Sequence, residues 1–183
     1  MIYIPTGKEL IDPFKVLVAA GIQPGMSMAD FGCGTLGHYV FVAARLVGPE
    51  GRVYAIDILT SVLESITGRM KMENVTNVVP LRGDIEREHG VNIPDNSVNI
   101  GLLSNNLFMS KQQAVMIQEC ARTIKPGGKF IVIDWKPTGS PFGPEFSSRV
   151  KPEDARRLVE GVGLKFEKEI VPGEYHYGFV FTK

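Results

Sequence analysis

The stretch Met28-Ala-Asp-Phe-Gly-Cys-Gly-Thr-Leu-Gly37 decides the fold, because it predicts a strand that ends in an acid and then a glycine turn. A helix is predicted to open directly from this turn, since apolar residues recur with the helical period at Leu36, Val40, Ala43, Ala44 and Val47. Glycine has no Cβ, so a ligand can approach the backbone of such a turn closely. The stretch therefore predicts a nucleotide-binding α/β unit and leaves open which nucleotide it binds.

Two cofactors compete for this turn, a dinucleotide and S-adenosylmethionine (SAM). Gly32-x-Gly34-x-x-Gly37 satisfies the dinucleotide pattern, and Asp57 follows 20 residues later, where a ribose-binding acid is expected. Asp30 separates the two, because an acid two residues before the first glycine opposes a pyrophosphate, which needs positive potential. SAM instead carries a cationic sulfonium and a cationic ammonium, so Asp30 favours SAM. The structural alternative is that Asp30 only ends the strand.

The composition is typical of a soluble globular protein, and 183 residues suit a single domain, 1–183. Because 20 Lys and Arg balance 20 Asp and Glu, no global field attracts nucleic acid or anionic lipid. A local basic cluster on a predicted helix start is typical of a solvated face; it comprises Arg149, Lys151, Arg156 and Arg157. No secretory signal or bilayer-spanning run is visible. Cys33 and Cys120 do not indicate a disulfide framework, so a cytoplasmic protein without a metal is expected.

Strand and helix signals alternate along the chain. Strands are predicted at 26–31, 52–57, 77–82, 97–104 and 129–135, and the later helices at 110–124 and 151–161. Segments 164–170 and 175–182 alternate and are predicted to form an antiparallel hairpin across a Val-Pro-Gly turn. Pro80 cannot donate to a ladder, which places the third strand at a sheet edge. The order predicts a doubly wound α/β sheet of about seven strands with helices on both faces.

Four acids fall at or just past the carboxyl ends of predicted parallel strands: Asp30, Asp57, Asp84 and Asp134. In open α/β sheets this edge holds the ligand crevice, so together they predict a negative rim that suits a cationic cofactor. Asp is also common in such loops because it caps the following helix, which is the structural alternative for Asp84 and Asp134. Asp57 is the stronger candidate, because one carboxylate can accept hydrogen bonds from both ribose hydroxyls.

At these motifs the chain resembles the class I SAM-dependent methyltransferases over essentially its whole length, and within them the small-molecule type 11 group. Asp30-x-Gly32-x-Gly34 is similar to the family's first motif, whose loop cradles the methionine portion of SAM. Asp57 matches the acid that holds the ribose, and Gly83-Asp84-Ile85 is similar to the segment beside the adenine. The resemblance implies a mostly parallel seven-stranded sheet of order 3-2-1-4-5-7-6 with the last strand antiparallel.

The resemblance also implies the cofactor and the residues that hold it. SAM is the expected cofactor and S-adenosylhomocysteine (SAH) the expected product. The implied cofactor-binding residues are Asp30, Gly32, Cys33, Gly34, Gly37, Asp57, Ile58, Gly83, Asp84, Ile85 and Asn105. The expected reaction is in-line transfer of a methyl group to an acceptor.

The acceptor is expected to be a small molecule. The Asn/Asp-Pro-Pro-Tyr signature of many amino-methyltransferases is absent, and Ser104-Asn-Asn-Leu107 stands in its place, facing cofactor and substrate. Two alternatives stay open: a tRNA or protein methyltransferase, and a SAM-binding regulatory or partner subunit without activity of its own. An NAD-dependent dehydrogenase comes last, because no substrate domain is visible. Nucleic acid and membrane are not expected partners, and a homodimer is left open.

Candidates for catalysis are sparse, and a general base is needed only if the acceptor keeps a proton at neutral pH. His38, just after the glycine loop, and Asn106 are the two candidates near the predicted crevice. His176 is expected to be structural, because it lies between two tyrosines in the last strand. Trp135 either lines an acceptor pocket or packs at the sheet edge. The N-terminal segment 3–8 is a candidate lid over the cofactor.

Overall fold

One seven-stranded sheet organises the chain, which a computed structural model describes for residues 10–138 and 143–183. The strands are β1 Ser27–Phe31, β2 Arg52–Asp57, β3 Val78–Arg82, β4 Val98–Ser104, β5 Ile124–Trp135, β6 Lys165–Gly173 and β7 His176–Thr182. Their order is β3-β2-β1-β4-β5-β7-β6. The first five are parallel, and β7 is antiparallel to both β5 and β6. The predicted fold class and strand order are confirmed.

Helices cover both faces of this sheet. They are α1 Pro13–Ala19, α2 Val40–Val47, α3 Thr60–Glu73, α4 Gln113–Thr123 and α5 Pro152–Gly161, with 3-10 turns at Leu107–Met109 and Phe146–Ser148. Buried side chains of α1, α2 and α3 pack on one face, and those of α4 and α5 pack on the other. Because helices cover both faces, the central strands are apolar on both sides: in β5, the run Phe130 to Trp135 is buried throughout.

The register brings the ends of distant strands to one edge. Asp30 of β1 lies beside Ala55 of β2 and Leu102 of β4, so the loops after these strands are neighbours. Because β7 runs antiparallel to β5, its first residue, His176, pairs with Trp135 at the end of β5. The start of β7 therefore reaches the same edge as the carboxyl ends of the parallel strands, where ligands bind in such sheets.

The helix after the glycine loop begins later than the sequence pattern predicts. Helix α2 starts at Val40, and Leu36 lies outside it with 71% of its surface exposed. The reason is backbone geometry, because Gly34 and Gly37 adopt φ values of 66° and 52°, which a right-handed helix cannot include. The prediction of Leu36 on the apolar face is wrong, whereas Val40, Ala43, Ala44 and Val47 are buried.

Other boundaries shift by a few residues. Ile124, predicted to end a helix, is the first residue of β5, and the Lys-Pro-Gly-Gly segment after it forms an irregular start to that strand. The predicted Val-Pro-Gly turn is the end of β6. Pro80 lies in the edge strand β3, as expected. In the parts of the chain that the structure describes, no helix is both long and apolar enough to cross a membrane. The predicted lid 3–8 lies outside the described residues.

Candidate functional site

The glycine loop after β1 lies against two neighbouring loops. The N–H groups of Gly32 and Cys33 both donate to the carbonyl of Ile56 at 2.9 Å, which ties the loop to the end of β2. Gly32 adopts a φ of 71°, and a Cβ there would overlap the side chain of Asn106. Only glycine therefore allows the loop after β4 to pack directly on the loop after β1.

Asp57 connects the glycine loop to the start of α3. Its Oδ2 accepts the N–H of Gly34 at 3.2 Å, and its Oδ1 accepts the N–H of Leu59 at 3.0 Å. The carboxylate is half-buried and lies at the mouth of a cavity of about 650 Å³. We call this the β2–β3 cavity; its wall includes Gly34, Asp57, Ile58, Gly83, Asp84 and Ile85. Every one of these six is a predicted cofactor residue.

Asp84 turns the chain at the far side of the β2–β3 cavity. Its Oδ1 accepts the N–H of Glu86 at 3.0 Å, and its own N–H donates to the carbonyl of Gly90 at 3.0 Å. These bonds hold Gly83 to Ile85 in a fixed turn although no helix follows β3. The cavity thus has one carboxylate at the end of β2 and another at the end of β3, with Ile58 and Ile85 as apolar wall.

A second cavity, of about 250 Å³, adjoins the first one. We call it the β5–β7 cavity; its wall includes Ile11, Asp30, Cys33, His38, Tyr39, Trp135 and His176. Gly32, Ser104 and Asn105 line both cavities and form the wall between them. Two ligands held in these cavities would meet at this wall.

Asp30 is buried beside this wall with 2% of its surface exposed. Burial, and secondly the charge of Asp57, raise the pKa of Asp30 to about 7. Its Oδ2 has no hydrogen-bond partner among the described residues. A buried carboxylate without a partner is costly, and a bound cation would remove that cost. The acid therefore fits a cationic ligand and disfavours an anionic one.

The loop after β4 contains two asparagines with different roles. The side-chain Nδ2 of Asn106 donates to the carbonyls of Phe31 and Ser104, at 3.1 and 2.9 Å, and so holds β1 and β4 together. Asn105 adopts a left-handed φ of 59°, and its buried Oδ1 has no partner among the described residues. The free polar atom of this loop thus belongs to Asn105, and Asn106, the predicted catalytic candidate, is committed to the backbone.

Asp134, near the end of β5, holds the loop after β4 in place. It accepts the N–H of Leu107 at 3.0 Å and that of Trp135 at 2.7 Å, and it is fully buried. Burial raises its pKa to about 6, although the backbone donors oppose the shift. Asp134 lines neither cavity. It positions the loop after β4, which differs from the helix cap that was the structural alternative.

Among the histidines near the site, His38 is engaged and His176 is not. The Nε2 of His38 lies 3.1 Å from the carbonyl of Ile11, which joins the glycine loop to the segment before α1. His176 is 2% exposed, its ring centroid lies 4.1 Å from that of Trp135, and neither of its nitrogens has a partner within the described chain. His176 was expected to be structural, and the structure places its side chain on the wall of the β5–β7 cavity. The signal for this position is that an antiparallel last strand begins at the ligand edge of the sheet.

Two further predicted residues are placed by packing. The buried thiol of Cys33 lines the β5–β7 cavity, and burial together with Asp30 raises its pKa, so it stays protonated and is no nucleophile. Gly37 lines neither cavity. It is a packing position, because a Cβ there would overlap Ile66 of α3 and touch Phe41 of α2. Every other predicted cofactor residue lies on one of the two walls.

The predicted basic cluster is divided, because Lys151 and Arg157 are exposed, as expected of a solvated face, whereas Arg149 is buried. Arg149 is buried, donates to the carbonyls of Pro144 and Lys136, and lies over the rings of Phe146 and Trp135, so a solvated role is wrong for it. Arg156 pairs with Glu160, and Arg157 pairs with Asp154. Within the described ranges, no group of three or more His, Cys, Asp or Glu could hold a metal ion.

Comparison with known proteins gives a consistent result. The family model "Methyltransferase domain" matches residues 22–157. The chain is 31% identical over 148 residues to the ubiquinone/menaquinone biosynthesis C-methyltransferase UbiE of Cupriavidus taiwanensis, covering 78% of this chain and 58% of that protein. It is 29% identical over 134 residues to the demethylmenaquinone methyltransferase of Staphylococcus aureus, covering 72% and 51%. The match therefore spans little more than half the length of these curated relatives.

Solved structures show the same fold over more of the chain. A SAM-dependent methyltransferase from Aquifex aeolicus superposes with a TM-score of 0.88 at 26% identity, covering 97% of this chain and 93% of that one. A putative type 11 methyltransferase from Sulfolobus solfataricus gives a TM-score of 0.70 at 27% identity, covering 86% and 83%. The sheet edge that carries both cavities thus belongs to an architecture that is shared with SAM-dependent enzymes.

Proposed function

The chain belongs to the SAM-dependent methyltransferases, and on that premise we propose that it transfers the methyl group of SAM to a small molecule, acting as one domain over residues 1–183. The observation that carries this proposal is the wall of Gly32, Ser104 and Asn105 between the two cavities. SAM would cross this wall, with its adenosine portion in the β2–β3 cavity and its methionine portion beside Asp30. Its methyl group would then meet an acceptor held in the rest of the β5–β7 cavity, which suits an in-line displacement.

The β2–β3 cavity would hold the adenosine portion of SAM. Asp57 would accept from the ribose hydroxyls, Asp84 would accept from the adenine amine, and Ile58 and Ile85 would contact the ring. Asp30, with an unpartnered oxygen in the neighbouring cavity, would face the cationic methionine portion. When bound, SAM supplies a methyl group that its sulfonium already activates. The protein's own contribution is to orient the acceptor and to exclude water.

The β5–β7 cavity supports a small and largely apolar acceptor. Its described wall combines Ile11, Tyr39 and Trp135 with a few buried polar atoms. Its volume of about 250 Å³ suits an acceptor whose enclosed part is about the size of one ring. The relative from Cupriavidus is named for ubiquinone/menaquinone biosynthesis and that from Staphylococcus for demethylmenaquinone, which supports a flat cyclic acceptor. The balance of 20 Lys and Arg against 20 Asp and Glu supports a small molecule over RNA.

A turnover experiment tests this proposal. SAM with a labelled methyl group is incubated with the protein and three acceptor pools: small aromatic compounds, cellular RNA and cellular protein. We expect SAH to form with the first pool only and the label to stay in the small-molecule fraction. Label in precipitated RNA or protein would contradict the small-molecule acceptor, and SAM binding without turnover in any pool would support a regulatory subunit. The variant Asp57→Ala is the control for background transfer.

A further inference from the structure

His176 is a buried polar group that the steps above leave without a task. Its side chain is 2% exposed, and in the described part of the chain neither Nδ1 nor Nε2 has a hydrogen-bond partner. A buried donor or acceptor that is left unsatisfied destabilises the folded state. A histidine kept only for packing would avoid this cost if it were replaced by an apolar ring of similar size.

The position of His176 is fixed by the sheet. It pairs with Trp135 across β5 and β7, and the two ring centroids lie 4.1 Å apart with the planes tilted by 44°. Both rings line the β5–β7 cavity, and Asn105 contributes its own unpartnered Oδ1 to the same wall. The two ring nitrogens of His176, which have no described hydrogen-bond partner, therefore lie on the wall of a concave site that also contains Trp135. The methyl group of SAM would reach the same site.

The surroundings keep the imidazole uncharged. Burial, followed by the positive charges of Lys136 and Arg149, lowers the pKa of His176 to about 4. A neutral imidazole offers one N–H donor and one nitrogen acceptor, so it exchanges a hydrogen bond with an uncharged polar group. Asp30, on the wall of the same cavity, disfavours an anionic ligand.

We propose that His176 is the specificity-determining contact for the methyl acceptor, and that it forms a hydrogen bond with one uncharged polar substituent of a flat apolar molecule that lies against Trp135. This inference rests on the proposed function, because it assigns the acceptor to the β5–β7 cavity. An apolar protein cavity of about 150 Å³ binds benzene, so this cavity of about 250 Å³ would hold a one-ring acceptor beside the methionine portion of SAM. A site built to bond a hydroxyl rejects an analogue that lacks it more strongly than an apolar pocket rejects an extra methyl.

A pair of matched probes tests the inference, phenol and toluene, which have similar shapes and differ in the hydroxyl. Trp135 is the only tryptophan of the chain, so its fluorescence reports on this cavity directly. Each probe is titrated into the SAH-saturated protein, with ligand-observed NMR as a second readout. We expect wild type to bind phenol at least about tenfold more tightly than toluene. The variant His176→Phe should lose this preference and keep toluene binding.

Two further variants separate recognition from a structural role. His176→Gln keeps a donor and an acceptor and should restore part of the preference for phenol; it also serves if His176→Phe does not fold. Tyr177→Phe is the matched control, because this neighbour on β7 carries a buried hydroxyl without a described partner but lies outside the cavity wall. We expect the ratio of the two affinities to be unchanged in Tyr177→Phe.

The outcomes separate the inference from the proposed function. Equal binding of the two probes to wild type, no binding of either, or an equal loss of both in His176→Phe would overturn the role of His176. Calorimetry of SAH on the same samples reports on the cofactor site independently. If SAH binds and phenol is not preferred, only the inference fails. If SAH does not bind, the proposed function fails with it.

Discussion

The free energy of unfolding of Asp30→Asn, relative to that of wild type, should be larger at pH 8 than at pH 5. The folded-state pKa of Asp30 is raised from 3.8 to about 7, chiefly by burial. A raised pKa means that the folded state holds its proton more tightly than the unfolded chain does. The contribution of this group to stability is therefore fully present below pH 4 and is lost as the pH rises towards 7. Asparagine cannot ionise, so Asp30→Asn lacks this loss.

The magnitude follows from the shift in pKa. A difference of about 3 units corresponds to roughly 4 kcal/mol in full, at 1.36 kcal/mol per unit, and roughly 2–3 kcal/mol of it falls between pH 5 and pH 8. The assay is urea unfolding of wild type and Asp30→Asn at both pH values without SAM. We expect the free energy of unfolding of the variant, relative to wild type, to rise by that amount from pH 5 to pH 8. A difference that is the same at both pH values would refute the burial of an unpaired carboxyl at this position.

Further predictions concern the loops and the acid side of the stability profile. Gly32→Ala should cost about 2–4 kcal/mol of stability in urea unfolding, because φ is positive and the new Cβ overlaps Asn106. Adding Asn106→Ala should recover part of this cost. If the losses of the two single variants simply add in the double variant, the contact between Gly32 and Asn106 is contradicted. Asn106→Ala alone should cost about 1–3 kcal/mol for two lost hydrogen bonds, whereas Asn105→Gly should leave stability within about 0.5 kcal/mol and lower the methyl-transfer rate. The pKa of His176 is lowered to about 4, so the unfolded chain takes up the proton first as the pH falls. Between pH 6.5 and pH 4 the free energy of unfolding of wild type should therefore fall by roughly 3 kcal/mol relative to that of His176→Phe. If the free energies of unfolding of the two proteins change in parallel with pH, this prediction is contradicted.

The sequence predicts the sheet well, because buried parallel strands leave long apolar runs. Arg52–Asp57 is found at its predicted bounds, and the position of Pro80 correctly marks an edge strand. Strand order follows only from the family resemblance, since periodicity alone does not determine which strands pair. The start of α2 does not follow from the apolar pattern at Leu36, because that pattern does not show that Gly34 and Gly37 adopt left-handed φ values, which delay the helix to Val40.

The cofactor side of the site is also predicted by the sequence, since acids and glycines at the ends of parallel strands indicate a nucleotide-binding edge without knowledge of the fold. The acceptor side is not. His176 lies 146 residues beyond Asp30, and only the antiparallel pairing of β7 with β5 brings it to the same cavity. The division of labour between Asn105 and Asn106 depends on one left-handed residue, and neighbouring asparagines in a sequence give no sign of it.

Calorimetric titration with SAM, SAH and NAD tests the central claim most directly. We expect SAM and SAH to bind with micromolar affinity and NAD not to bind, because Asp30 opposes a pyrophosphate and suits a cation. The variant Asp57→Ala should fold and lose most of the affinity for both SAM species. Tight binding of NAD without SAM, or unchanged affinity for SAM in Asp57→Ala, would contradict the assignment of the β2–β3 cavity to the adenosine portion of SAM.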